Sequence, residues 1–168
     1  MRRLSAAAAM AAMVCAFVPL LAGEEKRIDL VAVITKADAH SALGEAVKDP
    51  QSRNGEGADG YYSRCNYYSE NPGRSLVLRV RQAAPGQLEP KKQLEEMSAA
   101  NEKLKSIPGL GEKAAVISEG PEKGPSHALM LYVVKGGFFI TVGISGVDDE
   151  KGATAKAKTL AGKILKHL

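Results

Sequence analysis

Few side chains in this chain could carry chemistry, and they are scattered along it. No histidine has a second ligand two or four residues further along its own element; the histidines are His40, His127 and His167. A zinc site needs three or four ligands that converge in space. The spacing therefore favours solvated or capping histidines. With no tryptophan and few aromatic residues in addition, we expect neither a metal site nor a bound cofactor.

Three oxygen-bearing residues in a glycine-rich segment raise the question of calcium: Asn54, Glu56 and Asp59. Their spacing does not match the EF-hand pattern, in which the ligands occupy alternate positions of a twelve-residue loop. The segment from Asp49 to Gly60 contains a proline and several glycines, a composition typical of a loop. We interpret it as a polar loop without a bound ion.

No set of residues predicts catalysis. A nucleophilic cysteine needs a basic and partly exposed setting, whereas the strand around Cys65 is expected to turn that thiol inward. The segment Gly109-Leu110-Gly111 follows a helix and leads into a strand, the reverse of the order that phosphate binding at a helix N-terminus requires. No nucleophile, base and orienting group are recognisable together. We therefore predict no catalytic residue.

The elements around these residues are organised on the stretch from His127 to Gly146. Two apolar runs flank Gly136-Gly137, and a glycine pair between such runs indicates a two-residue hairpin. That register sets Val133 opposite Ile140. One face of the hairpin is then wholly apolar and expected to lie under helices; it collects Leu129, Leu131, Val133, Ile140, Val142 and Ile144.

The other face of this hairpin is mixed and supplies the candidate binding residues, which are Met130, Tyr132, Phe139 and Thr141. Large apolar groups stand there beside a hydroxyl and the bare Gly143, a composition that suits a ligand or partner as well as a covering segment. The first helix is the segment expected to cover it, and that helix is short and rich in alanine. We expect any binding site to lie on or beside this face.

A second hairpin joins the runs Tyr61 to Tyr68 and Arg74 to Arg81 through a turn that contains proline and glycine. Its loop length sets Cys65 opposite Leu78. Slipping the register by one residue would push Arg64 into the core, which opposes that alternative.

Three helices complete the expected elements. The first begins at the capping pair Thr35 and Asp38 and ends at Gly44. The second begins near Pro90 and stops after Ile107. The third, with Asp148 or Asp149 as N-cap, carries a clear apolar stripe.

The strands outside the hairpins are less distinct. Ile28 to Ile34 is a short strand or a leading turn, and Lys113 to Ser118 is a further strand. The order α-β-β-α-β-β-β-α with short links predicts an α+β fold with an antiparallel sheet of five or six strands.

The beginning of the chain predicts export. Arg2 and Arg3 precede an apolar run from Ala6 to Leu21, and small residues follow at Ala22-Gly23. This pattern is typical of a cleaved signal peptide over residues 1–23. A membrane anchor is the alternative, but a spanning helix needs roughly 20 apolar residues and this run is shorter. Residues 24–168 then form a single domain, which is periplasmic or secreted.

The charge of the mature chain argues against a nucleic-acid partner. Loss of Arg2 and Arg3 lowers the net charge from +4 to +2, and the lysines are spread among acids. Cys65 is the single cysteine after Cys15 is removed. The domain has no internal disulfide, so its stability must come from the core.

Four stretches together resemble a loose group of small exported bacterial domains, often lipoproteins and mostly of unknown function. These stretches are Ile34 to Gly44, Cys65-Asn66-Tyr67, Pro108 to Ala114 and Leu131 to Gly137. The resemblance implies an α+β sandwich similar to the PsbP/Mog1-like shape and supplies no catalytic residue. Such proteins often pair a cysteine near the first helix with one on the strand; here Val31 stands at the first position, so that bridge is lost.

These observations predict an exported, non-enzymatic domain that binds a partner protein or small ligand of the cell envelope. It has no nucleic-acid partner and no membrane span after signal cleavage. An envelope enzyme without a recognisable motif and a structural accessory subunit are the two alternatives.

Overall fold

The computed structural model describes residues 27–120, 127–147 and 150–168. The helices are α1 (Leu30–Val33), α2 (Lys36–Leu43), α3 (Pro90–Ala100) and α4 (Glu150–Leu165). The strands are β1 (Gln51–Gly57), β2 (Gly60–Tyr68), β3 (Ser75–Ala83), β4 (Lys105–Ser106), β5 (Lys113–Glu119), β6 (Ala128–Lys135) and β7 (Phe138–Ser145). The predicted signal peptide and the predicted N-cap at Asp148 or Asp149 lie outside the described residues. Within the described ranges, no helix combines the length and apolar character needed to cross a membrane.

The described residues form one antiparallel sheet with the strand order β1-β2-β3-β7-β6-β5-β4. The α+β class and the antiparallel sheet are therefore confirmed. The predicted count of five or six strands is wrong, because the sheet has seven. The predicted order of elements differs as well, because two short helices rather than one precede the sheet and two additional strands, β1 and β4, lie at its edges.

Strand β1 occupies the segment that was predicted to be a loop. It pairs with β2 from Gln51 opposite Asn66 to Gly57 opposite Gly60. Every residue of β1 is exposed, so the segment has no apolar alternation to reveal it. Polar contacts hold it instead: the Asn54 amide donates to Asp29, and the Ser63 hydroxyl donates to the Asn54 side chain at 2.8 Å.

Two helix boundaries also differ from the prediction. The segment expected as a strand or turn contains α1, because the Asp29 side chain accepts a hydrogen bond from the Val31 N–H and starts a helical turn. Helix α3 ends at Ala100 instead of Ile107. There Asn101 is extended and its side chain accepts from the Lys103 N–H, a local bond that competes with helix continuation.

The two predicted hairpin registers are confirmed. In the central hairpin, Val133 lies opposite Ile140. In the second hairpin, Cys65 lies opposite Leu78. The capping box of Thr35 and Asp38 is present at the start of α2 as well.

Helices α1, α2 and α4 cover one face of the sheet and form the main core with it. The apolar face of the central hairpin lies in that core, with every side chain at most 1% exposed: Leu129, Leu131, Val133, Ile140, Val142 and Ile144. The predicted stripe of α4 is buried against it through Ala153, Ala157, Leu160, Ala161 and Ile164. The first predicted helix, α2, thus lies on this apolar side and does not cover the mixed face.

Cys65 is expected to be inert toward thiol reagents in the folded protein. The side chain is fully buried, and burial raises the pKa of its thiol, which depletes the reactive thiolate. A chain that starts at Glu24 should therefore react slowly with a thiol reagent when native and rapidly in urea. A reagent that releases a chromophore when it reacts with a thiol allows both rates to be measured by absorbance. Fast labelling of the native protein would contradict the buried position.

Candidate functional site

The mixed face of the sheet is only half covered. Helix α3 packs over one end of β5, β6 and β7, where Leu94 forms a small second core with Ala115, Val134 and Phe139. The rest of this face remains accessible, and we call it the open face. Its residues include Arg53, Tyr62, Arg64, Asn66, Tyr68, Ser75, Val77, Arg79, Glu119, Met130, Tyr132, Thr141 and Ser145. The covering element is therefore α3 and not the first helix as predicted.

The four predicted binding residues take different positions relative to α3. Phe139 is 5% exposed and lies beneath the helix. Tyr132 is half-buried at the helix rim, and its ring centroid lies 5.9 Å from that of Phe139. Met130 and Thr141 are half-exposed on the open face. The structure thus brings Met130, Tyr132 and Thr141 to one accessible surface and places Phe139 in the second core.

Gly143 makes room for Met130 on the open face. A Cβ atom at this glycine would lie 2.6 Å from the Met130 sulfur and 3.6 Å from the Val77 side chain. The absent side chain lets the thioether lie across the sheet toward Val77, which is 36% exposed. The result is a small apolar patch in the row next to the charged one.

Three arginines form the most distinctive feature of the open face. Arg53 on β1 lies opposite Arg64 on β2, and Arg64 lies opposite Arg79 on β3. The same row continues to Thr141 on β7 and Tyr132 on β6. Adjacent strands are about 4.8 Å apart, so the three arginine backbones span about 10 Å. We call Arg53, Arg64 and Arg79 the arginine row.

The arginine row has no acidic partner among the described residues. Other arginines pair with carboxylates: Arg27 with Glu56, Arg74 with Glu45 and Arg81 with Asp59. No described carboxylate lies within ion-pair distance of the row. Like charges directly opposite one another destabilise a sheet. The row is therefore an arrangement that the fold tolerates at some cost in stability.

Tyr62 organises two of the guanidinium groups. The guanidinium carbon of Arg79 lies 4.4 Å from the ring centroid and that of Arg64 lies 5.2 Å from it. Such cation–π contacts are worth about 0.5–1 kcal/mol at exposed sites. A Cβ atom at Gly57 would lie 2.9 Å from the Tyr62 ring, so this glycine leaves room for it beside β1. The ring orders the cations but carries no negative charge of its own.

The hydroxyl of Tyr62 is fixed by Asp59. It donates to the carboxylate at 2.6 and 2.7 Å. This bond lowers the pKa of Asp59, as do the nearby guanidinium groups of Arg81 and Arg79. Burial, and then the bond to Asp59, raises the pKa of Tyr62. At neutral pH the pair is thus a carboxylate and a protonated phenol, and the ring has a defined position under the arginines.

A shallow groove of about 280 Å³ lies at the β1 end of the arginine row. It is lined by residues of β1 and β2, including one carboxylate: Arg53, Asn54, Gly55, Glu56, Gly57, Tyr62 and Arg64. A Cβ atom at Gly55 would meet nothing within 4 Å. The groove therefore opens at the outer edge of the sheet beside two of the three arginines.

The described residues contain no group of three histidine, cysteine, aspartate or glutamate side chains placed to hold a metal ion. His127 was predicted to be solvated or capping, and this is wrong, because it is 2% exposed. Neither of its ring nitrogens has a partner among the described residues. It lines a second cavity of about 290 Å³ with Ser118, Gly120 and Glu150.

Comparisons of the chain with protein-family models, with curated proteins and with solved structures found no match. The resemblance to exported PsbP/Mog1-like domains therefore stays a prediction from the sequence. Any functional conclusion must come from the geometry of the open face.

The arginine row was not predicted from the sequence, although the predicted hairpin register already placed two of its residues side by side. The predicted register of the second hairpin already turned Arg64 and Arg79 away from the core, and counting along it sets these two residues opposite one another. Arg53 carried no such signal, because its segment reads as a polar loop. The third arginine joins the row only through the pairing of β1 with β2.

Proposed function

We propose that this protein is an exported, non-enzymatic binding domain whose open face docks an acidic segment of a partner protein in the cell envelope. The arginine row is the observation that carries the proposal. Its three cations face one another across adjacent strands, and no described carboxylate lies within ion-pair distance of them. An acidic partner relieves this repulsion, whereas a neutral partner would bury it.

The chemistry of the guanidinium group fits a carboxylate partner. It is planar, stays charged at all physiological pH values and presents paired N–H donors that match the two oxygens of a carboxylate. Tyr62 holds two of these groups over its ring before any partner arrives. Less side-chain freedom is then lost on binding, and this loss is one of the main costs of association.

The residue types of the open face favour a protein as the partner. Protein interfaces are enriched in arginine, tyrosine and methionine and depleted in lysine. The chain has 15 lysines and 8 arginines, yet the cations of the open face are all arginines. Val77 and Tyr68 are exposed beside them at 36% and 37%. These side chains supply apolar contact area next to the charged row.

The non-enzymatic part of the proposal rests on the same residues. The guanidinium group of arginine stays protonated in proteins, so it does not act as a general acid or base. The open face has a hydroxyl at Thr141, but no histidine, cysteine or lysine in its row to act as a base or nucleophile. The surface is suited to binding rather than to bond making.

Charge reversal in the row tests the proposal. Arg64→Glu combined with Arg79→Glu is expected to weaken binding of a fluorescent peptide with alternating glutamate and threonine by at least about tenfold, or about 1.4 kcal/mol. The reason is the loss of two guanidinium–carboxylate contacts and the gain of two repulsions. Fluorescence anisotropy gives the dissociation constants.

The matched control is Lys158→Glu combined with Lys166→Glu. These lysines are exposed on and just after α4, on the other side of the sheet, and the change in net charge is the same. We expect this control to change the affinity less than about threefold. Equal weakening by the two double variants would mean that net charge alone drives binding, and the proposal would be wrong.

A further inference from the structure

We propose that the acidic partner segment binds as an additional β-strand along the outer edge of β1. This inference rests on the proposed function and goes beyond it, since it names the backbone conformation and the side-chain pattern of the partner. The occupant is an extended segment of another protein with acidic residues at alternate positions.

Strand β1 has the properties of an acceptor edge. It is outermost in the sheet, and its seven residues are all exposed. One side of its backbone pairs with β2 over its whole length, and no described strand pairs with the other side. An unpaired edge presents a row of N–H and C=O groups that an extended peptide can continue. The opposite edge of the sheet, β4, has only two residues.

The side chains along β1 leave space for such a strand. A Cβ atom at Gly55 would meet nothing within 4 Å. The groove of about 280 Å³ opens beside Gly55 and Gly57 at this edge. A strand added at the usual spacing of about 4.8 Å would therefore meet no side chain of Gly55 or Gly57 on this face.

The arginine row gives the added strand its chemistry. The partner residue opposite Arg53 would extend the arginine row by one strand beyond β1. It would lie one strand spacing from Arg53, which already faces Arg64 on its other side. An acid at this position replaces a like-charge neighbour by an opposite charge, which is the stabilising form of a cross-strand pair. Successive side chains of a strand alternate between faces, so residues two positions before and after this acid share the face of the arginine row, and we infer that the partner carries its acids at these alternate positions.

The other face of the added strand is expected to carry neutral residues. Its side chains would neighbour Ser52, Asn54 and Glu56, and Glu56 already has Arg27 as its partner. A second acid near Glu56 would add repulsion without a free cation. The pattern that fits the edge is therefore an acid alternating with a small neutral residue such as threonine.

A second copy of this chain fits the edge less well. Antiparallel pairing of two β1 strands would bring one arginine row alongside another across the new pair. The like charges would then accumulate on a single continuous face. Charge complementarity thus favours a foreign acidic strand over self-association.

Backbone-blocked peptides test the inference. The probe is a fluorescein-labelled peptide of four Thr-Glu repeats with blocked termini, added to the chain that starts at Glu24. Two analogues carry N-methyl groups on all threonine amides or on all glutamate amides, so that each loses the donors of one edge and keeps its charge. We expect at least one analogue to bind at least tenfold more weakly than the parent. Equal affinities for all three peptides would overturn the inference.

Hydrogen exchange provides an independent readout. On binding the parent peptide, amides within 51–57 are expected to exchange more slowly, whereas amides of α4 should not change. Unchanged exchange in β1 would overturn the inference. A dimer of the peptide-free chain in sedimentation, with the same amides protected, would overturn it too, because the edge would then be self-paired.

The outcome for the proposed function remains separable. If Arg64→Glu with Arg79→Glu abolishes peptide binding while the methylated analogues bind like the parent, the acid-binding face stands and the added strand is refuted. If a methylated analogue loses binding while the double variant still binds the parent peptide, the added strand stands and its charge pattern contributes little of the affinity. Arg53→Gln is expected to weaken the parent peptide about threefold to tenfold, since this side chain is the nearest one to the added strand.

Discussion

Leu131→Ala is expected to lower the free energy of unfolding by about 2–5 kcal/mol. Leu131 is fully buried at the centre of β6, between Val116 on β5 and Val142 on β7. Helix α4 packs over this strand, so the surroundings cannot easily collapse into the cavity that the smaller side chain leaves. Urea unfolding followed by circular dichroism measures the loss.

Tyr132→Ala is the control for this substitution, one residue along the same strand. Tyr132 is half-buried at the rim of α3 and forms a tilted ring contact with Phe139. We expect a smaller loss of stability than for Leu131→Ala. Binding of the acidic peptide should weaken as well where the peptide lies across the open face, because Tyr132 belongs to the row that begins at Arg53. A peptide confined to the outer edge of β1 would not contact Tyr132, which lies four strands from β1. If Tyr132→Ala destabilises the protein as much and leaves binding unchanged, that part of the face is core and the site lies elsewhere.

The elements that the sequence predicts well are those with a strong local period. Gly136-Gly137 fixes the turn of the central hairpin, and the period of two then assigns every side chain of β6 and β7 to a face. The register of β2 and β3 follows in the same way from the penalty for burying Arg64. Helix α2 is bounded by its own caps, Thr35 and Gly44. Each of these features depends on residues close together in the chain.

Strand β1 could not be found by the same reasoning. Its residues are all exposed, so there is no apolar side to reveal a period, and its two glycines are more typical of a turn. It is a strand because β2 offers a partner edge and because Asn54 reaches Ser63 and Asp29. Both causes are tertiary. With β1 unrecognised, Arg53 and hence the complete arginine row could not be predicted.

The assignment of helices to faces was likewise beyond the local signals. The apolar stripe of α3 and the alanine-rich side of α2 are both compatible with either face of a sheet. Their positions are decided by where the chain crosses over after β3, a global property of the topology. Helix α3 then covers Phe139 and leaves Thr141 open, although both belong to the same face of β7.

The limit of the region that α3 covers falls between two arginines of β3. Arg79 and Arg81 lie two residues apart on β3 and share its mixed face. Arg79 takes part in the open row, whereas Arg81 is 3% exposed under the segment that leads into α3. Sequence alternation assigns them the same side but cannot tell that one is a surface cation and the other an internal connector.

Arg81→Ala is expected to lower the free energy of unfolding by about 3 kcal/mol, because a hydrogen bond to a charged group contributes about 1.5–3 kcal/mol and the buried guanidinium group donates several. The guanidinium donates to the carbonyl of Asp59 at 3.1 Å, to the carbonyl of Leu88 at 2.8 Å and to the side chain of Gln93 at 2.8 Å. These bonds connect the β1–β2 turn, the segment before α3 and α3 itself to the sheet.

Truncation at Arg81 would remove the donor from the Leu88 carbonyl and from the Gln93 side chain, whereas the Asp59 carbonyl would keep the Ala84 N–H. Arg79→Ala is the matched control, because it removes the same side chain two residues away and forfeits little beyond the contact with Tyr62, about 0.5–1 kcal/mol. Urea unfolding of the two variants measures the difference, and the acidic peptide gives the opposite ranking for Arg79, whose loss should weaken binding while the fold stays intact. Equal destabilisation by the two substitutions would contradict the division of β3 into a connecting arginine and a binding one.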